Sequence, residues 1–253
     1  MNGLSVVIIT RDEEAAIGAA LDSVAFADEI VLVDSGSHDR TVQIARARGA
    51  KVIETTDWPG FGAQKNRALD HATREWVFSL DADERVTPEL RAEIESVVKG
   101  SATQDAYDVP RLSSYCGRYL RHGGWWPDHV TRLFRRGKAR FSDDLVHERL
   151  VVSGSTGRLK GHLLHEAFDD FEEVLRKVDQ YSTANAQMMH ARGKRGSLAS
   201  AVLHGGWAFF RTYVLRLGFL DGRWGFMLAV SNAEGTYYRY VKLWLLEQSS
   251  SRA

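Results

Sequence analysis

Four short strand-like runs, alternating with helical stretches over the first hundred residues, restrict this chain to very few folds. Leu4-Ser5-Val6-Val7-Ile8-Ile9 is apolar and rich in β-branched residues, as expected of a strand covered on both faces. Ile30–Val33, Lys51–Glu54 and Trp76–Leu80 read as three more strands. Between them the pattern predicts a helix with Ile17, Leu21 and Val24 on its apolar face, a second from Arg40 to Arg48 stopped by Gly49, and a third from Ala63 to Thr73. Pro88 then opens a helix over Glu89–Lys99, and Gly100 closes it. Strands separated by helices of this length imply an α/β fold, a mostly parallel sheet with helices on both faces. Such sheets bind ligands beyond the carboxyl ends of their strands. Three polar clusters fall at those ends: Thr10–Glu14, Asp34–Asp39 and Asp81–Glu84.

After Ser101 the pattern becomes irregular. Tyr107–Val109, Thr131–Phe134 and Leu150–Val152 are short extended pieces between Gly and charged turns, and a long amphipathic helix fits Asp170–Met189. No repeat, low-complexity segment or clear linker appears. The formal net charge is zero, but residues 190–253 hold nine Lys/Arg against three Asp/Glu, hence +6, and 11 of the 26 aromatic residues. A basic, aromatic tail on an acidic body suggests a surface for anionic lipid or an anionic substrate. Cys116 is the only cysteine, which excludes an intrachain disulfide and argues against a cysteine zinc site. The first residues read as a strand and not as a signal peptide. The longest uncharged stretch of the tail, Gly196–Phe210, has 15 residues, short of the ~18–20 that span a bilayer.

Asp81-Ala82-Asp83 directly follows an apolar strand. Two carboxylates one residue apart at a strand end suit a hard divalent cation, Mg²⁺ or Mn²⁺, with positions left for diphosphate oxygens. The triplet alone serves equally well as a solvated turn. Its alignment with two other polar strand ends favours the metal. Asp34-Ser35-Gly36-Ser37 offers a carboxylate to a base or ribose and, at Gly36, close backbone approach. The same residues make an ordinary turn before a helix, with Ser37 or Asp39 as cap.

Four segments taken together resemble the successive motifs of family 2 glycosyltransferases, in the family's order and spacing: Ser5–Glu14, Val33–Thr41, Gly62–Leu69 (with Lys65 and Asn66) and Leu80–Glu84. The resemblance implies a GT-A fold, an inverting mechanism, and a nucleotide-diphosphate sugar donor bound by Thr10, Asp12, Glu14 and Asp34, with Lys65 near the ribose or diphosphate. Ser35, Gly36, Asn66 and Asp81 join the expected donor contacts. Asp12 departs from the family, which often has Asn there. Trp58–Gly62, Arg132–Arg136, Val146-His147-Glu148 and Gly218–Gly222 are similar to motifs of bacterial lipopolysaccharide-core β-1,4-glucosyltransferases. That narrower resemblance implies UDP-glucose as donor and an inner-core heptose as acceptor. The expected organisation is a GT-A catalytic domain over 1–189, with a nucleotide-binding half 1–100 and an acceptor half 101–189, followed by a helical, membrane-associating extension over 190–253.

Inversion needs a general base for the acceptor hydroxyl. Glu148 is the candidate, with Asp144 and Asp143 as rivals, although Arg140 and Arg149 nearby also suit a salt-bridged loop. Asp83, Asp81 and His165 form the expected metal set, with His162 as the rival histidine. Trp125-Trp126-Pro127 reads as a sugar-stacking wall or as core aromatics. The tail, where Trp207, Phe210 and Phe219 interleave with Arg211, Arg216 and Arg223, reads as a peripheral anchor on the anionic inner face of the inner membrane or as helices packed on the body. Single-stranded nucleic acid ranks last as a partner, because no nucleic-acid module accompanies the arginines. A nucleotidyltransferase would carry a Gly-rich basic loop near the first strand, where Thr10-Arg11-Asp12-Glu13-Glu14 stands. A sugar-nucleotide-binding module without catalysis would need Asp34 but no base.

Overall fold

A computed structural model describes residues 3–100, 102–142 and 149–250 of the chain. They divide into two compact units: residues up to Arg111 with Asp128–His165, and Leu112–Pro127 with Glu166 onward.

In the first unit the alternating elements are β1 (Leu4–Thr10), α1 (Ile17–Ser23), β2 (Glu29–Asp34), α2 (Thr41–Ala47), β3 (Lys51–Glu54), α3 (Phe61–Asp70) and β4 (Trp76–Asp81). β5 (Glu84–Val86) and α4 (Pro88–Lys99) follow, and Thr87 caps α4 by accepting a hydrogen bond from Leu90 N–H at 3.3 Å. β6 (Ala106–Tyr115) runs on into the second unit, where β7 (Arg118–Tyr119) pairs with it. β8 (Asp128–Arg135), β9 (Ala139–Phe141), β10 (Leu150–Val152), β11 (Thr156–Arg158) and β12 (Leu163–His165) complete the strands. Sheet order is β3-β2-β1-β4-β8-β6-β12-β5. The first four strands are parallel, as the helical spacing requires; β8 is antiparallel to β4, and β6 to β8.

Alternation along the strands supplies two cores. Val6, Ile8, Phe78 and Leu80 pack with Ile17 and Leu21 of α1 and Leu90 and Ile94 of α4. Val7, Ile9, Val33 and Val77 point the other way, onto Ala68 and Leu69 of α3. Both faces are therefore covered, which is why β1 is buried at all seven positions.

The second unit is mainly helical: α5 (Phe171–Ala191), α6 (Leu198–Phe210), a π-helical turn (Arg211–Leu215), a 3₁₀ turn (Gly218–Asp221) and α7 (Gly222–Ser250). Asp170 caps α5 by accepting from Glu173 N–H at 2.7 Å. The expected boundary after residue 189 falls inside α5, which packs along α7 and belongs wholly to this unit. Its core gathers Tyr115, Leu120, Val174 and Leu228, and the Tyr115 hydroxyl lies 2.8 Å from Ser231 Oγ. Trp125 joins this cluster, 5.6 Å from Tyr115 and 5.9 Å from Phe168 between ring centroids, which favours the core reading over a sugar wall for that residue. Among the described residues no helix is long and apolar enough to cross a membrane.

Phe78 is fully buried on the central strand β4, so Phe78→Ala should lower unfolding free energy by about 3–5 kcal/mol. Chemical denaturation of the two proteins measures it. A loss under 1 kcal/mol would mean the sheet collapses into the space.

Candidate active site

Register sets out the site. In the parallel pairing Thr10 stands opposite Asp34 and Ile9 opposite Asp81, so three polar strand ends lie in one row. β5 pairs antiparallel with β12, and His165 comes opposite Glu84, next to Asp83 in the chain. The result is a cavity of about 540 Å³ beyond β1 and β4, lined by Thr10, Lys65, Asp81, Asp83 and His165, with the exposed rings of Trp58 and Phe61 at its edge. Those two rings meet edge to face at 4.9 Å. Thr10 Oγ1 is buried without a hydrogen-bond partner. A buried hydroxyl in that state lowers its free energy by bonding whatever polar ligand enters.

Beneath the cavity lies a buried ionic node. Arg132 Nη2 sits 2.5 Å from Asp81 Oδ2 and 2.5 Å from Glu84 Oε1. Lys65 Nζ stands 3.0 Å from Asp81 Oδ1, and Asp81 N–H donates to Glu84 Oε2 at 3.0 Å. Arg111 extends the node, 3.6 Å from Glu84 and 2.7 Å from Asp128. Burial opposes charge on Asp81, but the Arg132 and Lys65 cations outweigh it and hold the carboxyl far below the usual range. Burial pushes the Glu84 carboxyl up; Arg132 pulls it down, and the Asp81 charge pushes it up again, leaving it raised. Burial works against the Arg132 cation too, yet Asp81 and Glu84 hold it fully protonated.

All three members of the expected metal set line the cavity. Asp81 is matched to Lys65 and Arg132, and Asp83 Oδ2 stands 3.4 Å from His165 Nε2. No group of three His, Cys, Asp or Glu side chains converges on one point among the described residues. Two protein donors at the edge of a cavity fit a divalent cation that takes its remaining ligands from water and substrate phosphate, the usual habit of Mg²⁺. His162 instead offers its carbonyl oxygen to Thr87 at the start of α4, accepting from the hydroxyl at 2.9 Å.

Several expected donor contacts are engaged within the protein. Asp34 Oδ2 accepts from Gly36 N–H and Ser37 N–H at 2.9 Å each, and the Ser37 hydroxyl donates to Oδ1. This turn needs Gly36, whose φ is +81°. Asp12 N–H donates to Ser37 Oγ at 2.8 Å and Asp12 Oδ1 accepts from His38 N–H at 2.6 Å. Glu14 Oε2 accepts from Arg40 N–H at 3.0 Å. Asp12 and Glu14 thus lace the loop after β1 to the loop after β2, while Asp34 shapes the second loop from within. Ser35 Oγ accepts from Gln64 Nε2 at 2.9 Å. Asn66 bonds both main-chain groups of Phe141 at 2.9 Å and fixes β9 to α3. Glu148, Asp144 and Asp143 lie outside the described residues. Sequence reasoning assigned no role to Arg132 or Glu84: their meeting depends on β8 lying beside β4, which no local pattern announces.

Replacing Arg132 with Met leaves two carboxylates without their shared cation, a loss of about 3–5 kcal/mol at neutral pH. Without that cation both folded-state carboxyl pKa values rise relative to the parent's, so the variant takes up protons at higher pH than the parent does. The deficit relative to the parent should therefore narrow as pH drops towards 4. Urea denaturation across that range tests this, and a pH-independent deficit would show that packing, not charge, is lost.

The family model for glycosyl transferase family 2 matches residues 5–162. LpsC of Rhizobium meliloti (strain 1021), a lipopolysaccharide core biosynthesis glycosyltransferase, is 32% identical over 95% of this chain and 92% of its own length. RT0209 of Rickettsia typhi, an uncharacterized glycosyltransferase, is 32% identical over 96% of this chain and 87% of its own. Among solved structures, S. aureus TarS 1–349 in complex with UDP-GlcNAc shares the fold, with a TM-score of 0.51 and 16% identity over 98% of this chain and 92% of that one. Together with the row of polar strand ends, these likenesses establish that the chain belongs to glycosyl transferase family 2 and has the GT-A fold.

Proposed function

We propose that the protein is an inverting, metal-assisted hexosyltransferase that moves glucose from UDP-glucose to a heptose of the lipopolysaccharide inner core. The observation that carries the reading is the meeting of Thr10, Lys65, Asp83 and His165 in one cavity at the strand ends. The likeness to LpsC over nearly the whole chain supports the acceptor class.

In this reading the acceptor hydroxyl attacks the anomeric carbon opposite the diphosphate. A carbon–oxygen bond forms to the acceptor, the bond to the diphosphate oxygen breaks with its electron pair leaving on UDP, and the hydroxyl proton passes to Glu148. Asp144 and Asp143 are the alternative bases. Lys65, held by Asp81, contributes positive charge where the diphosphate gathers negative charge. Thr10 offers its hydroxyl to the nucleotide, and Trp58 and Phe61 supply an apolar edge. Asp83 and His165 would hold Mg²⁺ or Mn²⁺, which neutralises charge on the leaving diphosphate when bound. On this reading the protein works peripherally at the cytoplasmic face of the inner membrane, because the acceptor is anchored there.

Asp83→Ala should abolish cation-dependent turnover of UDP-glucose with little change in unfolding midpoint, since the carboxylate is part-exposed at a strand end. Retained turnover with Mn²⁺ would remove the metal role. Glu148→Gln keeps shape and hydrogen bonding but cannot take the proton. It should lower kcat by about 10²–10⁴-fold with UDP-glucose affinity retained. A larger loss in Asp144→Asn would move the base there.

A further inference from the structure

α6 is inverted relative to an ordinary surface helix. Its packed side consists of the small residues Ala201, Gly205 and Ala208, and a Cβ at Gly205 would stand 3.2 Å from the Ala233 carbonyl oxygen. Its outer side carries Leu198, Val202, Leu203, Trp207 and Phe210, all exposed, with Leu203 at 73%. The exposed apolar surface continues through Val214, Leu215 and Leu217 to Phe219 and Leu220 in the following turns. Ten exposed apolar side chains between Leu198 and Leu220 mark a place where water is displaced.

The end of that surface is ringed by cations from two distant segments. Asp221 accepts main-chain hydrogen bonds from Arg121 at 3.1 Å and His122 at 2.8 Å, and Gly123 N–H donates to the Arg216 carbonyl at 2.8 Å. These bonds bring Arg118 and Arg121 beside Arg216 and Arg223, all four exposed. Arg118 lies over the Trp224 ring at 5.6 Å and Arg121 over Trp126 at 5.5 Å. Asp221, the acid lining this end among the described residues, is turned inward: besides the two main-chain bonds, it lies 2.9 Å from His122 Nδ1. Arginine and tryptophan around an apolar tip match an interface with phosphate at one depth and acyl chain below it.

We infer that the outer side of α6 and the turns to Leu220 dock on an anionic phospholipid bilayer, with the ring of Arg118, Arg121, Arg216 and Arg223 meeting the headgroup phosphates. The inference deepens the proposed action on a lipid-anchored acceptor by naming the surface that meets the membrane. Charge decides between occupants: a second copy of this chain would present the same four cations.

Co-sedimentation with phosphatidylglycerol/phosphatidylcholine vesicles, at low and high salt, tests it on the full chain without donor or acceptor. Failure of sugar transfer would therefore leave the result standing. The parent should bind the anionic vesicles, more weakly at high salt, and bind phosphatidylcholine alone poorly. Arg118→Gln/Arg121→Gln, outside the basic tail, should weaken binding about tenfold at low salt. Leu203→Gln/Trp207→Gln should remove binding at both salts with an unchanged unfolding midpoint. Equal, negligible binding by the parent, or insensitivity to either variant, would overturn the docking face. So would a dimer in solution that Leu203→Gln/Trp207→Gln converts to monomer, because a second copy would then cover α6.

Discussion

The Arg132 guanidinium, shared between Asp81 and Glu84, is the contact on which the architecture of the first unit turns. It arrives on β8, an antiparallel strand, and reaches the carboxyl end of parallel β4 and the start of β5. The place where the sheet changes direction is thus held by charge in a water-poor setting, where an unmatched partner is far more damaging than an absent pair. One consequence is a division of labour within Asp81-Ala82-Asp83. Both carboxylates line the cavity; the first also matches Lys65 and Arg132, and the second stands beside His165. Lys65 is positioned through Asp81, so Arg132 influences the cavity without lining it.

The parallel half of the fold was legible because its signals are local. Val6, Ile8 and Phe78 on one face and Val7, Ile9 and Val77 on the other follow strand alternation, and Pro88 and Gly100 bracket α4 at the positions their backbone chemistry favours. The rest was legible only in pieces. Tyr107–Val109, Thr131–Phe134 and Leu150–Val152 fall in β6, β8 and β10, whereas β5, β9, β11 and β12 have three residues each, too few for a period to show. At the site, His165 and Asp83 were named from sequence, but only the β5–β12 register brings them together. Asp12, Asp34 and Asn66 show the complementary difficulty. A polar side chain in a motif looks the same in sequence whether its partner is a ligand or the protein's own backbone.

The second unit illustrates a different limit. Its basic and aromatic bias was plain from composition, yet the arginines at its apolar tip include Arg118 and Arg121, about a hundred residues before Arg216 and Arg223. Asp221, within Gly218–Gly222, makes that juxtaposition through main-chain hydrogen bonds. Composition could not foresee which side of α6 is packed either, since small residues settle that by allowing close backbone approach.

The lacing between the loops after β1 and β2 bears on the entropy of association. Asp12 with Ser37 and His38, Glu13 with Thr41, and Glu14 with Asp39 and Arg40 form a ladder of main-chain to side-chain bonds across the mouth of two parallel strands. Loops so joined cannot sample separate conformations, and much of their disorder is removed when the chain folds. Any ligand that docks at this rim would spend less of its binding free energy in ordering the protein.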